Sequence, residues 1–480
     1  MASFLNGTVS LRSPEPPLVG GVSNDHPAPL SCWQLHVWNC AQLAARLSPG
    51  AQLFNETITI HRQGSLDVLA LEKSIQEILR RHQAWRTTFR IVDGEPRQFV
   101  SAQAENSLAV FDLRSLPKAE QDHEALRLGT DDVRKPFDLA NGPLVRTKLL
   151  RLSDVDWRLL LTVHQILLDG VSVYHVFLPE LMTLYKAFSN SQASPLPELP
   201  LQYPDYAIWE REQAQGDFLS GQIAYWRKRL HEPLSGLVLP ADRPRSPHQT
   251  FRGAILPFAL PKQLSEQVRL YSQRENVTLF IALLAVFYCL LHRYTDRKDI
   301  VVGTIVPTRR RSELQGLLGY FLNPVVLRAD LSRNPTFREV LTDSRNIFLE
   351  AISYSEVPFD SLVEILQPQT AGDRHPLYQV QISLEPPMPA LEEGWNLTPM
   401  DFESGGAKLD LYMVFDDRPS GIIGRVQYNP DLFDAATMSR LVEHYQAILA
   451  TVLAEPLQRI SDLPQFKLTE SFASVGAERA

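Results

Sequence analysis

Apolar residues recur along the chain with two periods, and the alternation between those periods sets the expected elements. Residues 67–82, DVLALEKSIQEILRRH, carry Val68, Leu71, Ile75, Ile78 and Leu79 at helical spacing, with Asp67 placed to cap the helix N-terminus. Residues 56–67, ETITIHRQGSLD, read as a short strand and a turn, and VRTKLLRL (145–152) and WRLLLTVH (157–164) read as strands. Residues 171–188, VSVYHVFLPELMTLYKAF, read as a helix that Pro179 should kink. The run VTLFIALLAVFYCLL (277–291) is apolar on every side, so a buried core helix over 277–294 is expected, followed by a strand DIVVGTIV (299–306). Strands and helices are thus mixed throughout, which gives an α/β or α+β chain.

The breaks in this pattern divide the chain. Four prolines (Pro195, Pro197, Pro200 and Pro204) fall within residues 189–206 and are expected to prevent regular structure there. Residues 1–28 read as a flexible leader, 29–190 as a first lobe, 191–204 as a Pro-rich linker, 205–465 as a second lobe and 466–480 as a tail. The stretches QPQTAGDRHP (367–376) and EPPMPALEEG (385–394) read as exposed loops.

With 480 residues, two lobes are the natural expectation. Apolar residues make up 44% and charged residues 21%, an ordinary balance for a globular protein, and the net charge of −8 argues against nucleic acid as the main partner. The longest apolar run is shorter than the roughly 18 residues a membrane span needs, so no membrane role is expected. Cys32, Cys40 and Cys289 show no paired spacing, which fits a reducing cytoplasm. The N-terminus lacks the basic and apolar regions of a signal peptide. No phosphate loop, dinucleotide fingerprint, serine-hydrolase elbow or His-Glu-x-x-His pair occurs, so neither a metal nor a bound cofactor is expected.

The chemistry-bearing stretch is TVHQILLDGVS, Thr162–Ser172. A strand delivers His164 to a loop, Gly170 permits a tight turn or close backbone approach, and Asp169 is placed to cap a helix or to meet an Arg. A single His at a strand end is more often structural than catalytic.

The stretch resembles the His-His-x-x-x-Asp-Gly signature of the condensation-domain superfamily of nonribosomal peptide synthetases. LSCWQLHVW (30–38), RHQAWRTTF (81–89), YPDYAIW (203–209), VGTIVPTR (302–309), LLGYFLNPVVLR (317–328), SEVPFDSLV (355–363), DRHPLYQV (373–380) and YNPDLFD (428–434) resemble further motifs of that family, in its order. The resemblance implies two lobes like chloramphenicol acetyltransferase, arranged as a V-shaped pseudo-dimer around a central tunnel. It implies partner carrier proteins that bring their own phosphopantetheine arms, and amide formation between an amine and a thioester. It also implies that Ser172, Arg309 and Asn323 shape the tunnel; Arg309 either braces Asp169 or is an exposed charge in the run Arg309–Arg311.

One departure stands out. The family's second, catalytic His precedes the Asp by four residues, and here that position is Gln165, while His164 aligns with the first, mainly structural His. A carboxamide takes no proton at neutral pH but still donates and accepts hydrogen bonds. Three functions stay open. The chain is a condensation enzyme in which His164, Gln165, Asp169 and Gly170 form the site. Alternatively, it is an inactive scaffold that binds carrier-borne chains, adjacent synthetase domains or a tailoring enzyme, as a related domain does in glycopeptide assembly lines. Alternatively, it is a free-standing acyltransferase with a diffusible donor or acceptor. The other departures are His36 where the family has Arg, Trp85 for Leu, and Pro324 after Asn323.

Overall fold

A computed structural model of the chain describes residues 27–103, 107–213, 218–230, 237–246, 248–367, 374–398, 402–466 and 468. The expected leader and tail lie almost wholly outside these residues, as does most of the loop 367–376. Of the leader, Ala28 is described, and it belongs to a strand.

The strands, in chain order, are β1 (Ala28–Pro29), β2 (Asn55–Gln63), β3 (Thr87–Val92), β4 (Glu95–Val100), β5 (Ala109–Asp112), β6 (Val145–Arg151) and β7 (Asp156–His164) in the first half. The second half carries β8 (Ala254–Ala259), β9 (Asp299–Pro307), β10 (Leu322–Asp330), β11 (Val380–Leu384), β12 (Trp395–Thr398), β13 (Leu411–Arg418) and β14 (Gly421–Tyr428). They form a sheet ordered β12-β2-β7-β6-β5, a sheet ordered β10-β9-β11-β13-β14-β8 and a small sheet β1-β4-β3. Both large sheets mix parallel and antiparallel pairs. The fold is mixed α/β with two sheet-based lobes.

The first-half elements form where the apolar spacing places them. The helix Val68–Arg81 is capped by the Asp67 side chain, which accepts from the Ala70 amide at 3.0 Å. It buries Leu71, Ile75, Ile78 and Leu79 against the helix Leu178–Ser189. The element expected to kink at Pro179 is a wide π-type turn, Ser172–Phe177, that passes into this second helix. Pro179 stands at the junction where the wide turn passes into this helix, one residue after Leu178. Pro204 likewise opens the helix Tyr203–Gln213, so regular structure resumes inside the expected linker. In the second half, the helix Leu279–Thr295 has every residue from Phe280 to Leu291 buried, which accounts for its unbroken apolar run. Pro324 is accommodated because β10 is an edge strand, and Trp85 is buried with its ring 5.0 Å from that of Phe177.

The two halves exchange material. After β11 the chain leaves the second sheet, crosses over the first, and adds β12 antiparallel to β2, with Trp395 opposite Arg62. The segment 385–394, expected as an exposed loop, is the near end of this crossing. Its Met388 and Leu391 pack on the first-half core, whose buried residues also include Leu317, Phe321 and Trp395 from the second half.

Gly303 on β9 marks a tight contact in the second sheet, because a Cβ there would lie 2.1 Å from the buried Tyr378 ring. Gly303→Ala is expected to destabilise the protein by about 1–3 kcal/mol through overpacking, read as a lower urea midpoint.

Candidate active site

Strand β7 ends at His164, and a tight turn, Gln165–Leu167, follows. Ile166, Leu167 and Leu168 are buried and anchor this turn, while Gln165 keeps part of its side chain exposed. The Gln165 amide N–H donates to the Phe54 carbonyl at 2.7 Å, tying the turn to the start of β2.

His164 is buried against Phe54 and Phe137. Burial, reinforced by the Lys408 charge, pushes its pKa down to about 3. Its Nδ1 accepts the Ile166 amide N–H at 3.3 Å, so the neutral ring carries its proton on Nε2 and has no free lone pair for base work. In an NMR titration His164 is expected to stay neutral between about pH 5 and 8, and a midpoint inside that window would contradict this assignment.

Asp169 both caps and pairs. Its carboxylate accepts from the Ser172 amide at 2.6 Å and the Phe321 amide at 3.0 Å. The Arg309 guanidinium reaches it at 3.2 Å, with the two side chains 2% and 0% exposed. Arg309 also donates to Ser172 Oγ at 2.5 Å and to the Leu314 and Leu317 carbonyls at 2.8 and 2.6 Å, and lies over the Phe321 ring. Gly319 receives the Tyr203 ring so closely that a Cβ there would meet it at 2.0 Å. Gly170 lies beneath the crossing segment, where a Cβ would meet Pro386 at 3.0 Å and Glu385 at 3.2 Å. The structure therefore brings His164, Gln165, Asp169, Gly170, Ser172 and Arg309 together. Asn323 stands apart on β10, where its Nδ2 donates to the Ser355 and Val357 carbonyls, each at 2.9 Å.

Two residues not singled out from sequence complete the site. Gln165 Nε2 donates to Glu56 Oε1 at 2.9 Å, and Lys408 Nζ donates to Gln165 Oε1, also at 2.9 Å. With Lys408 as the ammonium and Glu56 as the carboxylate, the amide turns its oxygen to Lys408 and its nitrogen to Glu56. Lys408 also lies over the Phe54 ring, 3.9 Å from its centroid. It is held on a strap between β12 and β13. There the Ala407 amide donates to the Phe251 carbonyl at 2.9 Å and Gln427 donates to the Gly406 carbonyl at 2.8 Å.

Burial pushes the Glu56 carboxyl up to about 7, against the opposing pull of the Arg425 and Lys408 charges. Burial pushes the Lys408 ammonium down to about 8, against Cys40 and Glu56. Glu56, Gln165 and Lys408 are nevertheless each partly exposed. Glu56 had a signal in the sequence, for it stands in phase with the buried Ile58 and Ile60 on β2. Lys408 had none, because it reaches Gln165 only through the crossing of the chain.

Among the described residues, no group of three or more His, Cys, Asp or Glu is placed to hold a metal ion, and no single helix is long and apolar enough to cross a membrane.

Two sheet-based lobes that share a strand, with a His-Gln-x-x-x-Asp-Gly loop where they meet, define a condensation-type domain. The chain belongs to the condensation-domain family of nonribosomal peptide synthetases, whose profile matches residues 24–471. It is 40% identical to one component of the linear gramicidin synthase of Brevibacillus parabrevis, over 97% of its own length and 6% of that component's. It is 36% identical to the chondramide synthase of Chondromyces crocatus, over 95% of its own length and 12% of that synthase's. The chain thus spans a small fraction of the curated relatives it matches. Among solved structures, it resembles the X-domain from teicoplanin biosynthesis, at 27% identity and a TM-score of 0.79, over 94% of this chain and 100% of that one. The X-domain has also been solved in complex with OxyB. The fold is shared with the first condensation domain of the calcium-dependent antibiotic synthetase, at a TM-score of 0.80 and 19% identity, over 93% of this chain and all of that one.

Proposed function

We propose that this domain forms an amide bond by transferring an acyl group from a carrier-protein thioester to an amine, with Gln165 in place of the usual catalytic His. The phosphopantetheine arms belong to the carriers, and the reaction takes place in the recess where the two lobes, joined through 191–204, face a common tunnel. The observation that supports the reading is the hydrogen-bonded series Glu56–Gln165–Lys408. It restores a titratable pair where the sequence alone has a neutral amide.

The roles follow from the chemistry. A base works best when its pKa lies near the working pH, and Lys408, at about 8, meets that condition. Neutral Lys408 takes a proton from the attacking amine as the C–N bond forms. The tetrahedral intermediate then expels the carrier thiolate, which Lys408 reprotonates, so the proton balance closes. Gln165 holds Lys408 through Oε1, and its second N–H remains free for the carbonyl oxygen as that oxygen becomes anionic. His164, Asp169, Ser172 and Arg309 fix the loop that carries Gln165. Gly170 lets the crossing segment close over it.

The likeness to the X-domain supports a second reading, a domain that recruits a tailoring enzyme without chemistry of its own. One experiment separates the two. A donor-loaded carrier and an amine-loaded carrier are mixed with the native protein, with Gln165→Leu and with Gln165→His, and products are read by intact mass. Acyl transfer is expected from the native protein and its loss in Gln165→Leu. Turnover only in Gln165→His, with carriers still bound by the native protein, would establish the scaffold instead.

A further inference from the structure

The helix Cys32–Leu47 carries His36 and Cys40 one turn apart on one face. His36 stands where the family motif has Arg. Cys40 Sγ lies 3.8 Å from His36 Nε2. His36 Nδ1 meets Asp360 Oδ1 at 2.6 Å, and Asp360 Oδ2 accepts from Asn39 Nδ2 at 2.9 Å. Asp360 belongs to the helix Phe359–Leu366 of the second half, so the three groups are assembled across the two lobes. Phe359 packs edge-on to the His36 ring at 5.3 Å and limits its rotation. Thiol, imidazole and carboxylate thus stand in the order nucleophile, base and orienting group. The long S···N separation is usual for a sulfur contact without bound substrate.

The electrostatics of the cluster pull the Cys40 thiol down from its ordinary value. Burial would raise the Cys40 thiol, but the His36 imidazolium and the Lys408 charge outweigh both burial and Asp360 and hold it below its ordinary value. Burial would lower His36, yet the Cys40 thiolate and Asp360 hold it up to about 10. The neighbouring His375 is pushed down to about 3 by burial and by the His36 charge, so it stays neutral. Cys40 is partly exposed, whereas Cys32 and Cys289 are buried and burial raises both of their thiols.

We propose that Cys40, His36 and Asp360 form a second catalytic centre, in which Cys40 accepts an acyl group from a pantetheine-type thioester. The Cys40 thiolate attacks the thioester carbonyl carbon and a new C–S bond forms. The bond to the donor sulfur then breaks, and the departing thiolate takes the proton from the His36 imidazolium. Acyl thioester and free Cys40 become acyl-Cys40 and free donor thiol, with no further reactant required. Asp360 holds the imidazole with Nε2 towards the sulfur and is a positioning residue. The inference rests on this cluster and does not depend on Gln165 being competent.

The test uses the full chain without carrier proteins. The octanoyl thioester of N-acetylcysteamine is incubated with the native protein, Cys40→Ser, His36→Gln and Asp360→Asn, and adducts are read by intact mass and peptide mapping. One octanoyl group on Cys40 is expected, absent in Cys40→Ser. In the native protein, iodoacetamide labelling at Cys40 is expected to reach its plateau at a lower pH than for an ordinary thiol, because the His36 imidazolium holds the thiol below its usual value. In His36→Gln that plateau should move up towards the pH of an ordinary thiol. Iodoacetamide labelling of Cys40 without any octanoyl adduct overturns the proposal. So does a native labelling profile whose midpoint is no lower than that of an ordinary thiol, a result read on the native protein whether or not the variants fold. Condensation by carrier-loaded substrates in the absence of an adduct would remove this centre and leave the reaction at Gln165 intact.

Discussion

Lys408→Met is expected to lower the condensation rate by about 10²–10⁴, the usual contribution of a positioned base, while carrier binding and fold persist. Methionine keeps the length and the apolar stem that lies over Phe54, and removes only the amine that donates to Gln165 Oε1. Lys408→Arg sharpens the test. Arginine keeps a cation on the ring and a donor to Gln165, but stays protonated at every working pH. Loss of rate in both variants assigns the proton transfer to Lys408, whereas a full rate in Lys408→Arg would reduce it to a positioning charge. Stability should move the other way. The folded pKa of Lys408, about 8, lies below the unfolded value of 10.5, so protonating it opposes folding. That cost is complete below about pH 8 and fades as pH rises towards 10.5. Lys408→Met is therefore expected to melt no lower than the native protein at pH 7, and any gain is expected to shrink above pH 8.

Arg309→Ala is expected to destabilise the protein by about 3–5 kcal/mol, because it leaves the Asp169 carboxylate buried without its cation. The two side chains are 2% and 0% exposed, so water does not replace the lost partner. The Leu314 and Leu317 carbonyls and Ser172 Oγ lose a donor at the same time. Arg309→Lys is expected to recover little, since a single ammonium cannot reproduce the fork that spans these acceptors. The double variant Arg309→Met/Asp169→Leu is expected to regain much of the loss by removing both charges. Urea midpoints of the three variants against the native protein give the comparison. A small loss in Arg309→Ala, below about 1 kcal/mol, would show that the brace contributes little.

What the sequence discloses is local. The spacing of Val68, Leu71, Ile75 and Ile78 is enough to form a helix wherever it packs, and strands β6 and β7 follow from their own residues. The motif register alone places Gln165 and His164, whereas the sequence leaves Arg309 open between a brace for Asp169 and an exposed charge in a three-Arg run, until the structure pairs the two side chains. The crossing of the chain is not visible there. Nothing in the four residues of β12 says that they leave their own lobe, and Pro-rich 385–394 reads as solvent-facing until the first-half core is seen beneath Met388 and Leu391. Lys408 is hidden for the same reason. Its proximity to Gln165 depends on the strap that follows the crossing, and a lysine in a loop carries no periodic signal. Glu56 is partly legible, since an acidic residue in phase with Ile58 and Ile60 breaks the apolar face of a strand. Pro204 misleads because a proline that breaks a helix interior is harmless in a first turn.

The measurement that bears most directly on the reaction at Gln165 is the single-turnover rate of condensation against pH. Donor-loaded and amine-loaded carriers would be used with the native protein and with Lys408→Arg. The expected native profile rises with pH and levels near 8, where Lys408 becomes neutral, and the Lys408→Arg profile lies about 10²–10⁴ below it throughout. Superimposable profiles, both following only the ionisation of the acceptor amine, would contradict proton transfer through Lys408 and Gln165.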